Sequence, residues 1–475
     1  MRNKKIMLLL LLIILLGIAL RFSALDREAY WLDEGFAMIT GEQESLSAVT
    51  DSVLFYETAP PLYFYILKIW IDLFGNSEFS TRFLSALFSL LSIVFIFLAS
   101  RRISDDKTAL FTSLLFTISM ISIWLAQEVR PYSQLIFLTV LSTYFLIQIF
   151  QKKRKTVWYL LYFFSLTALV YTSYFSVFVI FFQFMAPLFA KQYKILKWTL
   201  SIQLISSLLL FPWLFKAFSG YNLRQGIVYE LLLYHANLPE SIAKFGQFAL
   251  ISPIVILSLL VAIFYLLSLK YKFKKTEKLN LLITIFILLF LLLYLTLSIN
   301  LNLPNVRKFF TWIRYFIVVL PAIHFIIAKT VLELDKKLRT CLVALIIIIS
   351  SLAIFSYYTS PIKEEWVPAM SFIEQTKSSS DGIILVDEGG ANIYLLNYYY
   401  NGEMEAIQLA WKDEMLNIDE IKQHTRDKEF AWLILSRNWK RGDYYKIIFD
   451  ENFNLIREKE FYGIRLYLYQ TNSLS

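Results

Sequence analysis

Cysteine, histidine and charge are scarce in this chain of 475 residues. The single cysteine, Cys341, lies in an apolar run, so no disulfide can form within the chain. The three histidines, His235, His324 and His424, are too far apart in sequence to form a metal-site pattern. Charged residues make up only 17% of the chain, which excludes the ordinary soluble globular classes.

Apolar residues are abundant instead. Hydrophobic residues make up 57% of the chain and aromatic residues 17%, a composition typical of a polytopic membrane protein with interfacial aromatic belts. The formal charge is +9, but the basic residues fall in short clusters between apolar runs. Such clusters indicate membrane topology or contact with anionic lipid, and we expect no nucleic-acid partner.

Apolar runs long enough to cross a bilayer predict about eleven transmembrane helices. The first run follows the basic segment Met1–Lys5 and has only a weak cleavage site near Ser23 and Ala24, so we interpret it as an uncleaved helix. The predicted spans lie at about 6–20, 82–100, 108–126, 132–150, 157–174, 175–190, 197–215, 249–269, 279–299, 312–330 and 340–358.

Basic clusters occupy alternate connections between these spans, and the positive-inside rule places that set in the cytoplasm. We therefore predict a protein of the cell membrane with a cytoplasmic N-terminus. The predicted external segments are 21–81, 127–131, 216–248, 300–311 and everything after about 359.

The segment 61–74 is apolar but short for a span, and counting it as one would invert every later basic cluster. Lys68 and Asp72, four residues apart, share one helical face. We therefore predict an amphipathic helix in the outer interface.

The composition changes after residue 358, where charges become frequent and spanning runs stop. The predicted fold is a polytopic α-helical membrane domain over 1–358 with a small external α/β domain over 359–475. In that domain we predict a helix at Ala391–Tyr400 and strands at Asp381–Val386, Phe430–Leu435, Tyr445–Phe449 and within Ile456–Tyr469.

The candidate functional residues lie in the predicted external loops and at the outer ends of spans. Carboxylates there are suited to taking a proton from an acceptor hydroxyl or to holding a divalent cation, and arginines are suited to binding phosphate. Snorkelling or an ion pair with Glu128 is the alternative role for the arginines. The candidates are Asp33, Glu34, Glu57, Glu128, Arg130, Tyr132, Arg314 and Tyr315.

The order of these motifs resembles a family. An Asp33-Glu34 pair precedes Pro60-Pro61-Leu62-Tyr63, and Gln127-Glu128-Val129-Arg130-Pro131-Tyr132 follows the next hairpin, with Arg314-Tyr315 leading to Leu320-Pro321. This set is similar to membrane glycosyltransferases of the protein O-mannosyltransferase and lipid A aminoarabinose transferase superfamily, over about 1–358. Many relatives have a histidine just before the Pro-Pro-Leu-Tyr segment, whereas this chain has Thr58 and Ala59.

The resemblance implies an enzyme of the GT-C type that takes a sugar from a polyprenyl-phosphate-linked donor and transfers it to an acceptor on the outer face of the membrane. It implies that Asp33 is the general base and that Arg130 and Arg314 hold the donor phosphate. Glu34 takes a supporting or metal-binding role, and whether the enzyme uses a divalent metal ion is left undecided. Supporting roles fall to Glu57, Glu128, Tyr132 and Tyr315.

Two other classes compete with the enzyme. A transporter or flippase of lipid-linked sugars also needs charges near lipid phosphate, but such proteins often show inverted repeats and broken helices around a mid-membrane site. A partner in polymer export, in which the external domain is the working part, is the third class. Acidic residues gathered in one external site favour the enzyme, and acidic residues along a central pathway favour the transporter.

Overall fold

The computed structural model describes residues 2–57, 59–151, 156–219, 314–376, 382–387, 390–409, 411–412, 415–416, 418–436 and 440–471. The predicted spans at 249–269 and 279–299 and the predicted loops at 216–248 and 300–311 lie wholly or largely outside these residues.

Helices dominate the described residues. The helices, numbered in chain order, are α1 Arg2–Phe22, α2 Leu32–Gly41, α3 Leu46–Tyr56, α4 Leu62–Phe74, α5 Glu78–Ile103, α6 Asp106–Thr117, α7 Met120–Ala126, α8 Tyr132–Phe150, α9 Thr156–Val170, α10 Ser176–Phe189, α11 Tyr193–Leu209, α12 Phe211–Ser219, α13 Leu320–Glu333, α14 Lys336–Thr359, α15 Trp366–Thr376, α16 Asn392–Tyr399, α17 Ile418–Thr425 and α18 Lys440–Asn452, with a 3-10 helix at Arg314–Val319. The strands are β1 Gly382–Val386, β2 Glu405–Gln408, β3 Trp411–Lys412, β4 Met415–Leu416, β5 Phe430–Ser436, β6 Asn454–Phe461 and β7 Ile464–Gln470.

Within the described residues, five helices are long and apolar enough to cross a membrane, or six if a bent pair counts as one span. The five are Lys4–Phe22, Glu78–Ile103, Tyr132–Phe150, Tyr193–Ala217 and Lys336–Thr359. Each covers a run that the sequence predicted as a span. The polytopic α-helical fold is therefore confirmed. The helices α9 and α10, predicted as spans, are shorter, with 15 and 14 residues, and a turn at 171–175 separates them.

The run predicted as one span at 108–126 forms two helices, α6 and α7, with a bend of 60° between them. The break leaves carbonyl groups at the end of α6 without helical partners. Arg21, at the end of α1, donates to two of them, from Nη1 to the carbonyl of Thr117 at 3.1 Å and from Nη2 to that of Phe116 at 3.2 Å. A buried arginine thus stabilises the break from another helix.

The segment predicted as an interfacial helix forms α4, which is too short to span a bilayer. Lys68 forms an ion pair with Asp72 on it, as the spacing predicts. The helix ends at Gly75, whose backbone φ of +83° is one that residues other than glycine rarely adopt. Buried residues of α4 pack towards α2, α3 and the C-terminal domain, and its place relative to a membrane stays a prediction.

The C-terminal part is an α/β domain around a five-stranded sheet of order β2-β1-β5-β7-β6. Strand β1 pairs parallel with β2 and β5, while β7 pairs antiparallel with β5 and β6. The predicted strand at Tyr445–Phe449 is wrong, because this segment lies in α18. Tyr445 and Phe449 are buried one helical turn apart while Ile447 is exposed, which is a helical pattern.

This domain packs directly on the helices of the first long loop. One hydrophobic core contains Met38 and Tyr63 from that loop together with Leu395 and Trp432 from the domain. At the contact between α2 and α16, a Cβ added to Gly35 would lie only 2.8 Å from the Cβ of Ala391. The first long loop and the C-terminal domain are therefore packed against each other. The side of the membrane on which they lie stays a prediction.

Candidate active site

The two acidic residues predicted to matter most lie in the first turn of α2. Carboxylates are favoured there because the helix dipole is positive at its N-terminus. Neighbouring residues on a helix point in different directions. Glu34 is fully buried, whereas Asp33 is half-buried. The two carboxylates therefore have different surroundings, and we treat them separately.

Glu34 lies at the centre of a buried network of donors. Its carboxylate accepts hydrogen bonds from Nε and Nη2 of Arg82 at 2.9 and 2.7 Å, and from Nζ of Lys363 at 3.0 Å. Two backbone N–H groups complete the set, that of Val129 at 3.0 Å and that of Trp31 at 3.4 Å. One carboxylate thus connects the first loop, the second loop, α5 and the connector that leads into the C-terminal domain.

This environment keeps Glu34 ionised. Burial alone would raise the pKa of Glu34, but the charges of Arg82 and Lys363 and the hydrogen bonds from Arg82 and Val129 lower the pKa to about 2. A base of that strength takes protons poorly at neutral pH. Both carboxylate oxygens also face cationic donors, so the surroundings of Glu34 do not fit a metal ligand.

Arg82 also holds the chain segment that leads into α2. Its Nη1 donates to the carbonyls of Leu25 at 2.6 Å and Glu28 at 2.7 Å, and its Nη2 donates to that of Ala29 at 3.0 Å. The sequence gives one signal for this residue, because an arginine near the end of an apolar span is costly unless it is paired. Lys363 has no comparable signal, since it lies in a short polar connector.

Asp33, Glu57 and Arg130 form a second cluster beside the first. Nη1 of Arg130 donates to the backbone carbonyl of Asp33 at 3.0 Å and to Oε1 of Glu57 at 2.8 Å. The side chain of Glu57 is 1% exposed and that of Arg130 is 10% exposed. The structure thus brings the first and second loops together at three residues that the sequence predicted to be functional.

Glu57 has the properties of a group that exchanges protons near neutral pH. Burial, together with the charge of Asp33, raises the pKa of Glu57 to about 7 against the opposing effect of Arg130. The Arg130 guanidinium remains charged, because Glu57, Tyr132 and Asp33 more than offset the effect of burial and raise its pKa. The cluster therefore combines the permanently charged Arg130 with the Asp33 carboxylate and with Glu57, whose pKa is near neutral.

The remaining second-loop residues are buried around this cluster. Ser85 on α5 donates to the carbonyl of Arg130 at 3.4 Å, and its Oγ lies 3.1 Å from the hydroxyl of Tyr63. Tyr132 begins α8 and is buried, and Glu128 is buried as well. The charge of Glu128 acts on Lys363, where it opposes the lowering of the lysine pKa by burial.

Arg314 and Tyr315 begin the 3-10 helix at Arg314–Val319, but their side chains lie outside the described residues. Their approach to Asp33 therefore stays a prediction. Thr58, at the departure from the family pattern, also lies outside these residues. Within the part of the chain that the structure describes, no group of three or more His, Cys, Asp or Glu side chains is arranged to hold a metal ion.

Two sequence comparisons match parts of this chain. The family model described as dolichyl-phosphate-mannose-protein mannosyltransferase matches residues 58–215, which is less than half of the chain. An uncharacterized protein of Aquifex aeolicus (strain VF5) is 31% identical over 102 residues, which cover 21% of this chain and 20% of that protein. The match thus spans about a fifth of that relative's length.

Solved structures match nearly the whole chain. ArnT from Cupriavidus metallidurans bound to undecaprenyl phosphate has a TM-score of 0.53 and 14% identity, over 96% of this chain and 97% of that one. The oligosaccharyltransferase AglB from Archaeoglobus fulgidus, in complex with an inhibitory peptide and a dolichol-phosphate, has a TM-score of 0.51 and 11% identity, over 100% of this chain and 75% of that one. With its polytopic helical part and its C-terminal α/β domain, the chain has a GT-C fold, like ArnT and AglB.

Proposed function

We propose that this protein transfers a sugar from a polyprenyl-phosphate-linked donor to an acceptor on the outer face of the cell membrane, with Asp33 as the general base. The observation that carries the proposal is the contact of Arg130 with both Asp33 and Glu57. It supports the proposal because Asp33, the proposed base, and Arg130, the proposed phosphate-binding cation, lie within one small region. The lipid phosphates bound to ArnT and AglB support a donor of this class.

Arg130 suits the donor phosphate. It uses Nη1 for both of its hydrogen bonds, and its Nε is buried without a hydrogen-bond partner in the described residues. A guanidinium binds phosphate oxygens through two N–H groups at once, and burial strengthens that attraction. A phosphate placed against Nε and Nη2 would satisfy the buried donor. We assign Arg314 to the same phosphate from the family resemblance alone.

The reaction is a single displacement at the anomeric carbon of the donor sugar. The acceptor oxygen forms a bond to this carbon, the bond from the carbon to the phosphate oxygen breaks, and the acceptor proton passes to the Asp33 carboxylate. The electron pair of the broken bond leaves with the phosphate, whose charge Arg130 stabilises. A phosphate leaving group needs no general acid, and one displacement inverts the anomeric centre.

Asp33 and Glu34 take different roles in this mechanism. The base must meet the acceptor, and half-buried Asp33 has that access, whereas fully buried Glu34 does not. We therefore assign Glu34 to positioning, since it holds the first turn of α2 against Arg82 and Val129. The donor set around Glu34 gives no support to the metal-binding role that the sequence left open.

The arrangement favours an enzyme over a transporter. The charged cluster is built from two loops and the ends of helices, next to the C-terminal domain, whereas transporters place their sites near the middle of the membrane. The positive-inside rule assigns this side to the cell exterior. A lipid-linked donor in the outer leaflet and an extracytoplasmic acceptor would meet there.

The test uses purified protein in lipid nanodiscs with a panel of polyprenyl-phosphate-linked hexoses and pentoses. The measured product is free polyprenyl phosphate, together with the sugar transferred to a crude envelope extract as acceptor. We expect release that depends on both the protein and the acceptor. Binding of these donors without any release, with movement of the donor between leaflets of proteoliposomes, would support the transporter and contradict the proposal.

A further inference from the structure

Lys363 is a lysine whose side chain is buried inside the protein. It lies in the connector between α14 and α15, and it is 5% exposed. Its ammonium group donates to Oε2 of Glu34 at 3.0 Å and to the carbonyl of Gln127 at 3.1 Å. Burying an ammonium group is costly unless its partners compensate, so the position needs an explanation.

Glu34 has a cationic partner besides Lys363. Arg82 already forms a doubly hydrogen-bonded pair with the Glu34 carboxylate, and that pair is neutral by itself. Lys363 adds a second positive charge at Glu34, and the negative charges of Glu128 and Glu28 act on it as well. Lys363 also connects the segment that leads into the C-terminal domain with the first turn of α2 and with the second loop.

The same connector is held at other points beside the first loop. The backbone N–H of Ile362 donates to Oε1 of Glu28 at 2.7 Å. Arg27 donates to the carbonyl of Tyr357 at 2.8 Å, at the end of α14. The segment before α2 and the connector before the domain are therefore fixed to each other.

The domain also touches α2 directly. A Cβ on Gly35 would lie 2.8 Å from Ala391, and a Cβ on Gly390 would lie 2.4 Å from the ring of Phe36. The hydroxyl of Tyr399 accepts a hydrogen bond from the N–H of Tyr30 at 2.6 Å. These contacts surround Asp33 on its own helix without touching its carboxylate.

We propose that Lys363 is a positioning residue which, through Glu34, fixes the first turn of α2 and the second loop, so that docking of the C-terminal domain sets the placement of Asp33 and Arg130. This inference rests on the proposed function. It makes the C-terminal domain part of the transfer machinery through one buried contact. It also explains why Glu34, next to the base, is bound to a residue 329 positions away in the chain.

The test variant is Lys363→Met, which keeps the chain length and leaves the neutral pair of Glu34 and Arg82. The matched control is Lys422→Met, the same change at an exposed position on α17 of the same domain. Lys363→Arg keeps the charge and tests for rescue. For each variant we measure transfer rate, affinity for undecaprenyl phosphate, thermal unfolding, and hydrogen–deuterium exchange of residues 30–36 in nanodiscs.

We expect Lys363→Met to lower kcat roughly 10- to 100-fold, the scale on which a misplacement of about 1 Å acts. Donor affinity should fall much less, exchange in residues 30–36 should rise, and Lys363→Arg should recover part of the rate. Lys422→Met should match the wild type. Wild-type kcat and exchange in Lys363→Met would overturn the proposal, as would equal losses of kcat, donor affinity and thermal stability without rescue by arginine.

If Lys363→Met fails to accumulate, Lys363→Gln provides the same test, because it removes the charge and keeps a polar side chain at the buried position. Increased exchange in residues 30–36 then supports the proposal, and unchanged exchange overturns it. A wild-type protein that transfers no sugar from any lipid-linked donor would refute the proposed function, while the exchange measurement would still decide the role of Lys363.

Discussion

Replacing Glu34 by glutamine keeps the size of the side chain and removes its charge. The wild-type carboxylate faces Arg82 and Lys363, and none of it is exposed to solvent. Glu34→Gln would leave these two buried cations without the carboxylate that both of them bind. It would also place an amide NH₂ group, which is a donor, among donors.

The cost of this change can be worked out in two ways. Removing one partner of a buried ion pair costs about 3–5 kcal/mol. The lowering of the Glu34 pKa from its ordinary value of 4.5 to about 2 corresponds to about 3 kcal/mol. Because the pKa is lowered in the folded state, this contribution is fully present at neutral pH and is lost only as the pH falls through 4.5 towards 2. It is a large part of the 5–15 kcal/mol that typically stabilises a folded protein.

We therefore expect Glu34→Gln to accumulate poorly and to unfold at a clearly lower temperature than the wild type. The assay is thermal unfolding in detergent, followed by tryptophan fluorescence, with Asp33→Asn as the matched control at the neighbouring position. Asp33→Asn should unfold within a few degrees of the wild type. A Glu34→Gln protein with wild-type stability and no transfer activity would refute the positioning role and make Glu34 a catalytic residue.

Further predictions concern Arg130 and Glu57. Arg130→Gln should weaken binding of undecaprenyl phosphate roughly tenfold or more, the scale of a hydrogen bond to a charged group. Arg130→Lys should restore only part of the affinity, because an ammonium group cannot bind two oxygens in a fork. Wild-type affinity in Arg130→Gln would contradict the role of Arg130 in binding the donor. Because the pKa of Glu57 is about 7, its negative charge beside Arg130 appears as the pH rises through this value, so wild-type donor affinity should fall between pH 6 and pH 8. Glu57→Gln should remove this part of the pH dependence, while titration of the lipid phosphate itself affects both proteins alike; identical pH profiles would contradict the assignment.

The membrane fold was largely predictable because apolar runs and their lengths are properties of the sequence itself. The break between α6 and α7 was not, since Arg21 stabilises it from a helix that is about a hundred residues away in the chain. The error at Tyr445–Phe449 has a local cause. Short runs of aromatic and β-branched residues favour strands by composition, and only the burial of one helical face shows the true periodicity.

The sequence predicted several of the residues that belong to the site, but not which of them form ion pairs with each other. The loop positions of Asp33, Glu57 and Arg130 placed them at one face of the membrane, and the structure brings them into contact. Neighbouring residues on a helix point in different directions, which separates the side chains of Asp33 and Glu34. Which of the two is buried depends on Arg82 and Lys363, and the Lys363 contact spans 329 positions in sequence. No local pattern contains that information.

The most direct test of the account is the transfer activity of Asp33→Asn, which keeps the shape of the side chain and removes the proton acceptor. The measurement is sugar transfer from a polyprenyl-phosphate-linked donor in nanodiscs, normalised to folded protein, alongside donor affinity. The account predicts near-normal accumulation, retained donor binding, and transfer lower by on the order of a hundredfold or more. Wild-type transfer by Asp33→Asn would contradict the account and shift the role of base to Glu57.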